Sequence, residues 1–374
     1  MENRISELDK ENDSYSNDDL FNITSWGADL SFRELVTMYE EGDLLKPELQ
    51  RKYVWKKQEA SRFIDSILLG LPVPSIFLAK KEDETMLIID GYQRIMTIYD
   101  FIKGNKFQST DKTFNLVKSE IINERWRGKS FLELTQDEQR KIRSTTIHAI
   151  IFEQKSPQND TGMYQIFERI NTSGVALKPQ EIRNCVYQGS FNSLLFKLNN
   201  NKLWRKSFGS ESDDPRMFDL ELILRFFAIS NFRYSKEKEQ ISINLVKYLN
   251  NYMGLNKNID DYTCNILENK FISMLEVLDD ILGDVAFKRY DSKKDIFVGR
   301  VTPPIFDAIC TAATFANEVG FIKSNSTDYI LRYKELLHNQ DFISSTSVRT
   351  TNVDNIKKRI ALATKILFGL DYEF

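Results

Sequence analysis

The sequence predicts an α+β protein in two parts, a mixed N-terminal domain over residues 21–190 and an all-helical domain over 191–374. Two observations carry this. In the first half, short β-branched runs (SIFLA, MLIID, TTIHAIIFE) alternate with stretches of helical spacing. From Ser190 onward one helical pattern follows another, and strand signals are nearly absent.

The first twenty residues are polar and acidic with little to bury, which predicts a disordered tail. Ser31 and Glu34 have the spacing of a capping box, so a helix is expected from there toward Gly42. LLKPELQRKYVW is extended around Pro47. A helix over about 57–69 follows, with Ile64, Ile67 and Leu68 on one face and Gly70 as its stop. Strands are expected at Ser75–Ala79 and at MLIID, separated by the turn KEDET. The helix after Gly91 runs to Lys103 and ends at Gly104. Thr135 and Glu138 form a second capping box before the strand Thr145–Glu153. Residues 161–170 read as helix and NTSG as a turn. Pro179 suits the first turn of a further helix that Gly189 closes. In the second half, helices are expected at 190–200, 217–230, 239–253, 262–284, 303–318, 326–338 and 353–368.

Composition narrows the function. The 374 residues with 41% hydrophobic content can bury a sizeable core. A net charge of -3 excludes nonspecific coating of nucleic acid, which needs a large positive excess. Cys185, Cys264 and Cys310 lie far apart with no metal spacing, which fits a reducing cytoplasm. No signal peptide is evident, and no apolar run approaches the ~20 residues of a membrane helix, so a cytoplasmic, membrane-free protein is expected.

Three clusters carry chemistry. In LIIDGYQR a strand leaves through Asp90-Gly91 into a helix that begins Tyr92-Gln93-Arg94. A strand-to-helix exit aims backbone N–H groups at an anion, and Arg94 adds a fork of donors suited to phosphate. Asp90 can orient a hydroxyl, a water or a phosphate-borne metal, and Gln93 a base edge or a water. On spacing alone, Asp90 as a helix cap with Arg94 as its ion-pair partner explains the same residues. In ELQRKYVWKKQEA, Arg51, Lys52, Lys56 and Lys57 interleave with Tyr53 and Trp55, a pattern that suits a nucleic-acid strand or equally an edge segment with its aromatics packed inward. In FERINTSGVALKPQEIRN, Asn171 and Gly174 favour a tight turn, and Arg169, Glu181 and Arg183 can converge on one locus.

Taken in order, these clusters make the chain resemble the GmrSD-type N-terminal domain family, which has a ParB/sulfiredoxin-like fold. The family's Q-R-x-Y-x-W segment stands here as Gln50 to Trp55, its "Sil.G.piP.i.l" segment as Ser66 to Pro74, its D-G-Q-Q-R motif as Asp90 to Arg94, and its F-x-R-x-N…E-I-R segment as Phe167 to Arg183. The resemblance covers about residues 30–190. It implies a role in bacterial restriction systems against phage. It also implies a site that binds and can hydrolyse a nucleoside triphosphate (GTP, ATP or CTP), with Mg²⁺ as companion, and that controls DNA recognition or a nuclease or effector partner.

Carried over by position, Asp90, Gln93, Arg94 and Arg51 are the expected catalytic set. Gly91, Tyr92 and Asn171 join them in nucleotide binding, with Asp90 the one candidate magnesium contact. Lys52, Tyr53, Trp55, Lys56, Lys57, Arg169 and Arg183 are the expected DNA contacts. Alternatives are a DNA or modified-DNA sensor without enzymatic activity, and a nuclease with Asp90 and Glu181 on Mg²⁺. A homo-oligomer built through the helical domain is also open. Two departures matter. Tyr92 replaces the first Gln of the motif, which puts hydrolysis in question. Many members carry a C-terminal HNH nuclease, but this chain has only two histidines, His148 in a strand and His338 near a helix end, so none is expected here.

Overall fold

The computed structural model describes residues 23–46, 55–81, 83–107, 113–154, 161–170, 177–231, 242–320 and 326–374. The expected disordered tail, Pro47, Arg51, Lys52, Tyr53, Asn171 and Gly174 lie outside the described residues. The chain divides into two compact units. One holds the described residues up to Leu177 together with Asn184–Val186; the other holds Lys178–Arg183 and Tyr187–Phe374.

The first unit is α+β. Strand β1 (Ile23–Ser31) leads directly into helix α1 (Phe32–Glu41). The turn between them is set by the expected capping box, in which Ser31 Oγ accepts from Glu34 N–H and Glu34 returns a carboxylate to Ser31 N–H. A two-residue strand β2 (Leu44–Leu45) precedes α2 (Lys57–Leu69). Strands β3 (Ile76–Lys80) and β4 (Met86–Asp90), helix α3 (Tyr92–Lys103), a short 3₁₀ turn (Phe131–Glu133), α4 (Gln136–Ser144), β5 (Thr146–Gln154) and α5 (Thr161–Ile170) complete it.

The five strands form one mixed sheet in the order β1-β5-β3-β4-β2. β1 runs antiparallel to β5 over its whole length, β5 is parallel to β3, β3 antiparallel to β4, and β4 parallel to β2. One core holds the unit together: Ile76, Leu78 and Ile88 from the sheet meet Phe32 of α1, Ile64 of α2 and Ile98 and Phe101 of α3, all at most 1% exposed.

β1 is the element that the sequence hides. ITSWGADLS is largely polar and mostly exposed. As an edge strand it is held by its ladder with β5, which places no demand on side-chain polarity. Across that ladder His148 Nδ1 sits 2.8 Å from Asp29 Oδ1 on the exposed face.

The second unit is helical, with α6 (Pro179–Val186), α7 (Ser190–Asn199), α8 (Lys202–Phe208), α9 (Phe218–Ser230), α10 (Leu245–Leu255) and α11 (Asp261–Leu282). A small hairpin, β6 (Arg289–Asp291) and β7 (Ile296–Val298), comes next. Then follow α12 (Pro303–Glu318), α13 (Ser326–His338), α14 (Gln340–Ser347) and α15 (Val353–Ala363), the last widening into a π turn over Thr364–Phe368. The aromatic helix ELILRFFAIS is core: Phe226 and Phe227 sit edge-on to each other, and Phe271 and Phe306 close around Trp204. Three elements were unforeseen: α8, α14 and the hairpin. Gly189 does not close α6, which stops at Val186. It precedes α7, where a Cβ would stand 2.2 Å from the Lys257 carbonyl. Among the described residues no helix is long and apolar enough to cross a membrane.

Candidate functional site

The turn between β4 and α3 depends on Gly91. Its φ is +98°, the left-handed region, and a Cβ there would lie 2.3 Å from Ile76 Cγ2. Only glycine meets both conditions. Gly91 is itself the residue preceding the first helical turn and has no side chain to cap it, so Asp90 is not the helix cap. Gly91 thus gives the start of α3 no side-chain cap, and a helix start directs its N–H groups and positive dipole end at an anion.

Asp90 instead takes Arg94. Arg94 Nη2 donates to Asp90 Oδ2 at 2.9 Å, while Nη1 donates to the Ser75 carbonyl at 2.6 Å and the Pro74 carbonyl at 3.2 Å. The guanidinium thus ties the loop before β3 to the turn after β4. The signal for this lies in PVPS: two prolines leave an extended segment whose carbonyls have few partners of their own. Sequence reasoning assigned Arg94 to phosphate and missed Pro74 and Ser75 as its acceptors.

Gln93 reaches the other way. Its Oε1 accepts from the backbone N–H of Trp55 at 3.3 Å, across 38 residues of chain. The structure so brings three motif segments to one place: the end of the basic segment, the PVPS loop and the start of α3. Tyr92 turns toward the core, half-buried against it. Burial, then the neighbouring Tyr39 and Asp100, push its hydroxyl pKa up. Its ring does not stand free to stack on a base.

The expected DNA contacts divide. Lys56 and Arg169 are exposed and Lys57 is half-buried. Trp55 is half-buried and edge-on to Phe63, 5.5 Å between ring centres, so it is packed inward. Arg183 does not fit the set. It is 1% exposed and donates to Glu221 at 2.6 Å, to Gln180 at 2.8 Å and to Asn250 at 3.3 Å, within the helical unit. Glu181 is equally buried, accepting from Arg216 at 2.9 Å and from Lys178 N–H at 2.6 Å. The E-I-R residues therefore fasten α6 to the segment around α9; a strand of DNA cannot reach a guanidinium enclosed in this way. Asp90 and Glu181, the pair a nuclease would use, are each engaged by an arginine. Among the described residues no three His, Cys, Asp or Glu side chains group to hold a metal.

Residues 32–188 match the family described as GmrSD restriction endonuclease, N-terminal domain. No curated protein matches the chain.

Proposed function

With residues 32–188 a member of the GmrSD N-terminal domain family, we propose that the chain serves a restriction-type defence system against phage. In this reading its mixed sheet is of ParB/sulfiredoxin-like type, and the start of α3 binds a nucleoside triphosphate. Binding there controls contact with DNA or with a separate nuclease or effector.

The observation that supports this most is the bond from Trp55 N–H to Gln93 Oε1. It anchors the end of the basic segment, which carries Arg51 four residues earlier, at the first turn of α3. In this reading an anion at that turn meets the backbone N–H groups of the helix start, and Arg51 is the proposed source of cationic charge. The triphosphate supplies the negative charge and, with a magnesium ion, the energy of its phosphoanhydride bonds. Asp90 is the one carboxylate of the turn, its side chain 36% exposed, so a magnesium ion would be held mainly by phosphate oxygens and water, as its preference for partial hydration favours. Gln93, held by Trp55, is the residue that would orient a water in this reading. Tyr92, turned toward the core, supplies neither a second amide nor a stacking face.

A second reading, a DNA sensor that ignores nucleotide, is favoured by the engagement of Arg94. Three of its donor contacts are made to Asp90, Ser75 and Pro74. Calorimetric titration of the full chain with ATP, GTP and CTP in the presence of Mg²⁺ separates the two. Saturable binding that is lost in Arg51→Ala, with the fold unchanged by circular dichroism, upholds the nucleotide reading. No binding by any of the three, beside salt-dependent binding of DNA, moves the function to the sensor.

A further inference from the structure

The helical unit contains a cleft of about 400 Å³, within the size range of small-ligand pockets. It lies where α8 ends, beside the 3₁₀ turn Gly283–Val285 that follows α11 and the open end of the β6–β7 hairpin. Its lining includes Lys206, Lys288 and Arg300 against a single carboxylate, Asp284, with Phe208 among the apolar part.

The fold places two of these cations deliberately. Arg289 pairs with Val298 in the last rung of the hairpin, so Lys288 and Arg300 leave its two legs on the same end. Both legs are fixed from behind. The buried Tyr333 donates its hydroxyl to the Lys288 carbonyl at 2.9 Å, and Thr302 N–H donates to the Phe287 carbonyl at 3.2 Å. Phe287, fully buried, adopts φ +67°, a conformation that bulky residues avoid and that surrounding structure must impose. Lys288 and Arg300 make no ion pair among the described residues. Lys206 is different: it is held by Asp279 at 2.6 Å and lies 3.9 Å from Asp284. Two uncompensated cations at the mouth of a formed cleft, with an aromatic ring in its wall, fit a ligand that is anionic at one end and flat or apolar at the other.

We propose that this cleft binds a small phosphate ester of mononucleotide size, with its phosphate between Lys288 and Arg300 and its base or other apolar part toward Phe208. The site is separate from the start of α3 and does not depend on the function assigned there. Arg300 supplies a planar fork and Lys288 a point charge, a pairing that accepts a terminal phosphate from two sides.

The test titrates the full chain with pyrophosphate and with AMP at low salt. Saturable binding is expected for both, weakened at least tenfold in Lys288→Ala/Arg300→Ala and unchanged in Lys358→Ala. A second measurement needs no variant. Acetylation of lysines in the native protein, read by mass spectrometry, should show Lys288 protected by pyrophosphate and Lys358 of α15, which does not line the cleft, unaffected. No saturable binding, equal binding by the folded double variant, or an unprotected Lys288 overturns the proposal. Binding of an oligonucleotide that pyrophosphate and AMP neither reproduce nor displace overturns it in favour of a phosphodiester groove.

Discussion

Arg94 lies 2.9 Å from Asp90 across the turn that joins β4 to α3, and the same guanidinium holds the carbonyls of Ser75 and Pro74. This residue therefore sets the shape of the turn before it can serve any ligand. The family motif resemblance made it a nucleotide contact; the geometry makes it first a positioning residue for Gly91 and the start of α3.

Arg94→Ala should accordingly destabilise the N-terminal unit even without nucleotide. Losing its bonds to Asp90 and two carbonyls is expected to cost about 1–3 kcal/mol. Arg94→Lys restores the charge but not the fork, so it should recover only part of the loss. Chemical denaturation of the ligand-free protein checks this. An Arg94→Ala protein of wild-type stability would return the residue to a purely ligand-facing role.

Gly91→Ala meets two separate penalties. The left-handed conformation costs an L-residue roughly 1–2 kcal/mol, and the new Cβ would overlap Ile76 Cγ2 at 2.3 Å. Ile76→Ala removes that methyl but keeps the Ile76 Cβ, 2.9 Å from the new atom, so it relieves only part of the overlap and none of the conformational cost. The double variant should therefore be less destabilised than the sum of the two single variants, yet still below Ile76→Ala alone. Denaturation midpoints of the four proteins give the coupling directly. Strict additivity would mean that the contact does not restrict position 91.

The parts of this fold that were legible are those in which local chemistry and tertiary context agree. Ser31 with Glu34 and Thr135 with Glu138 formed the capping boxes that their spacing announced. MLIID became β4 residue for residue, and PPIF opened α12 at Pro303. What escaped was decided by partners distant in sequence. β1 exists because β5 offers it a ladder, and Gly189 is needed for the Lys257 carbonyl rather than for a helix end. At the candidate site the residue types were legible but their partners were not. Nothing in D-G-Y-Q-R alone says that Gln93 reaches Trp55 or that Arg94 reaches Ser75. Arg183 shows the limit most plainly: an arginine in a motif reads the same whether it faces a ligand or, as here, is buried against the half-buried Glu221.

Asp100, one turn from the end of α3, is desolvated, and its carboxyl pKa is raised above the ordinary value of 3.8 despite a hydrogen bond from Asn105 Nδ2 at 3.0 Å. A raised folded-state pKa means that the folded protein binds the proton more tightly than the unfolded one. Stability from this group is then present at low pH and falls as pH rises from the unfolded value through the folded one. At neutral pH the charge is a net cost. Asp100→Asn keeps an acceptor for Asn105 and removes that cost. It should leave neutral-pH stability equal or higher, and flatten the acid side of the stability profile. Thermal melts across pH 4 to 8 read both effects, and a variant clearly less stable at pH 7 would show that the carboxylate is held favourably.

Asp307 is the strongest test of the helical unit. With its side chain fully buried it accepts from Arg225 Nε at 3.1 Å and Nη2 at 2.5 Å, and from Arg359 Nη2 at 3.2 Å. One carboxylate thus serves two buried guanidinium groups drawn from α9 and α15. Arg359 also donates to the Thr350 carbonyl at 2.5 Å. The arrangement carries an excess of positive charge, and burial lowers the Arg359 pKa to about 10, with Asp307 opposing the shift and Arg225 adding to it. Asp307→Asn keeps the shape and removes the only opposing charge in the triad, so the two arginines are left buried and repelling. A loss of about 3–5 kcal/mol is expected, the range for breaking a buried pair from one side. Because a cation with a depressed folded-state pKa is protonated more readily in the unfolded chain, its cost is full below the folded-state pKa and eases as the pH rises above it. Lowering the pH toward neutral should therefore give Asp307→Asn no relief. Guanidine denaturation at pH 7 and pH 9 checks both statements. A large loss at pH 7 that is no larger at pH 9 supports the triad as the lock between α9, α12 and α15, while a loss under about 1 kcal/mol would show that water or a rearranged helix meets the two arginines instead.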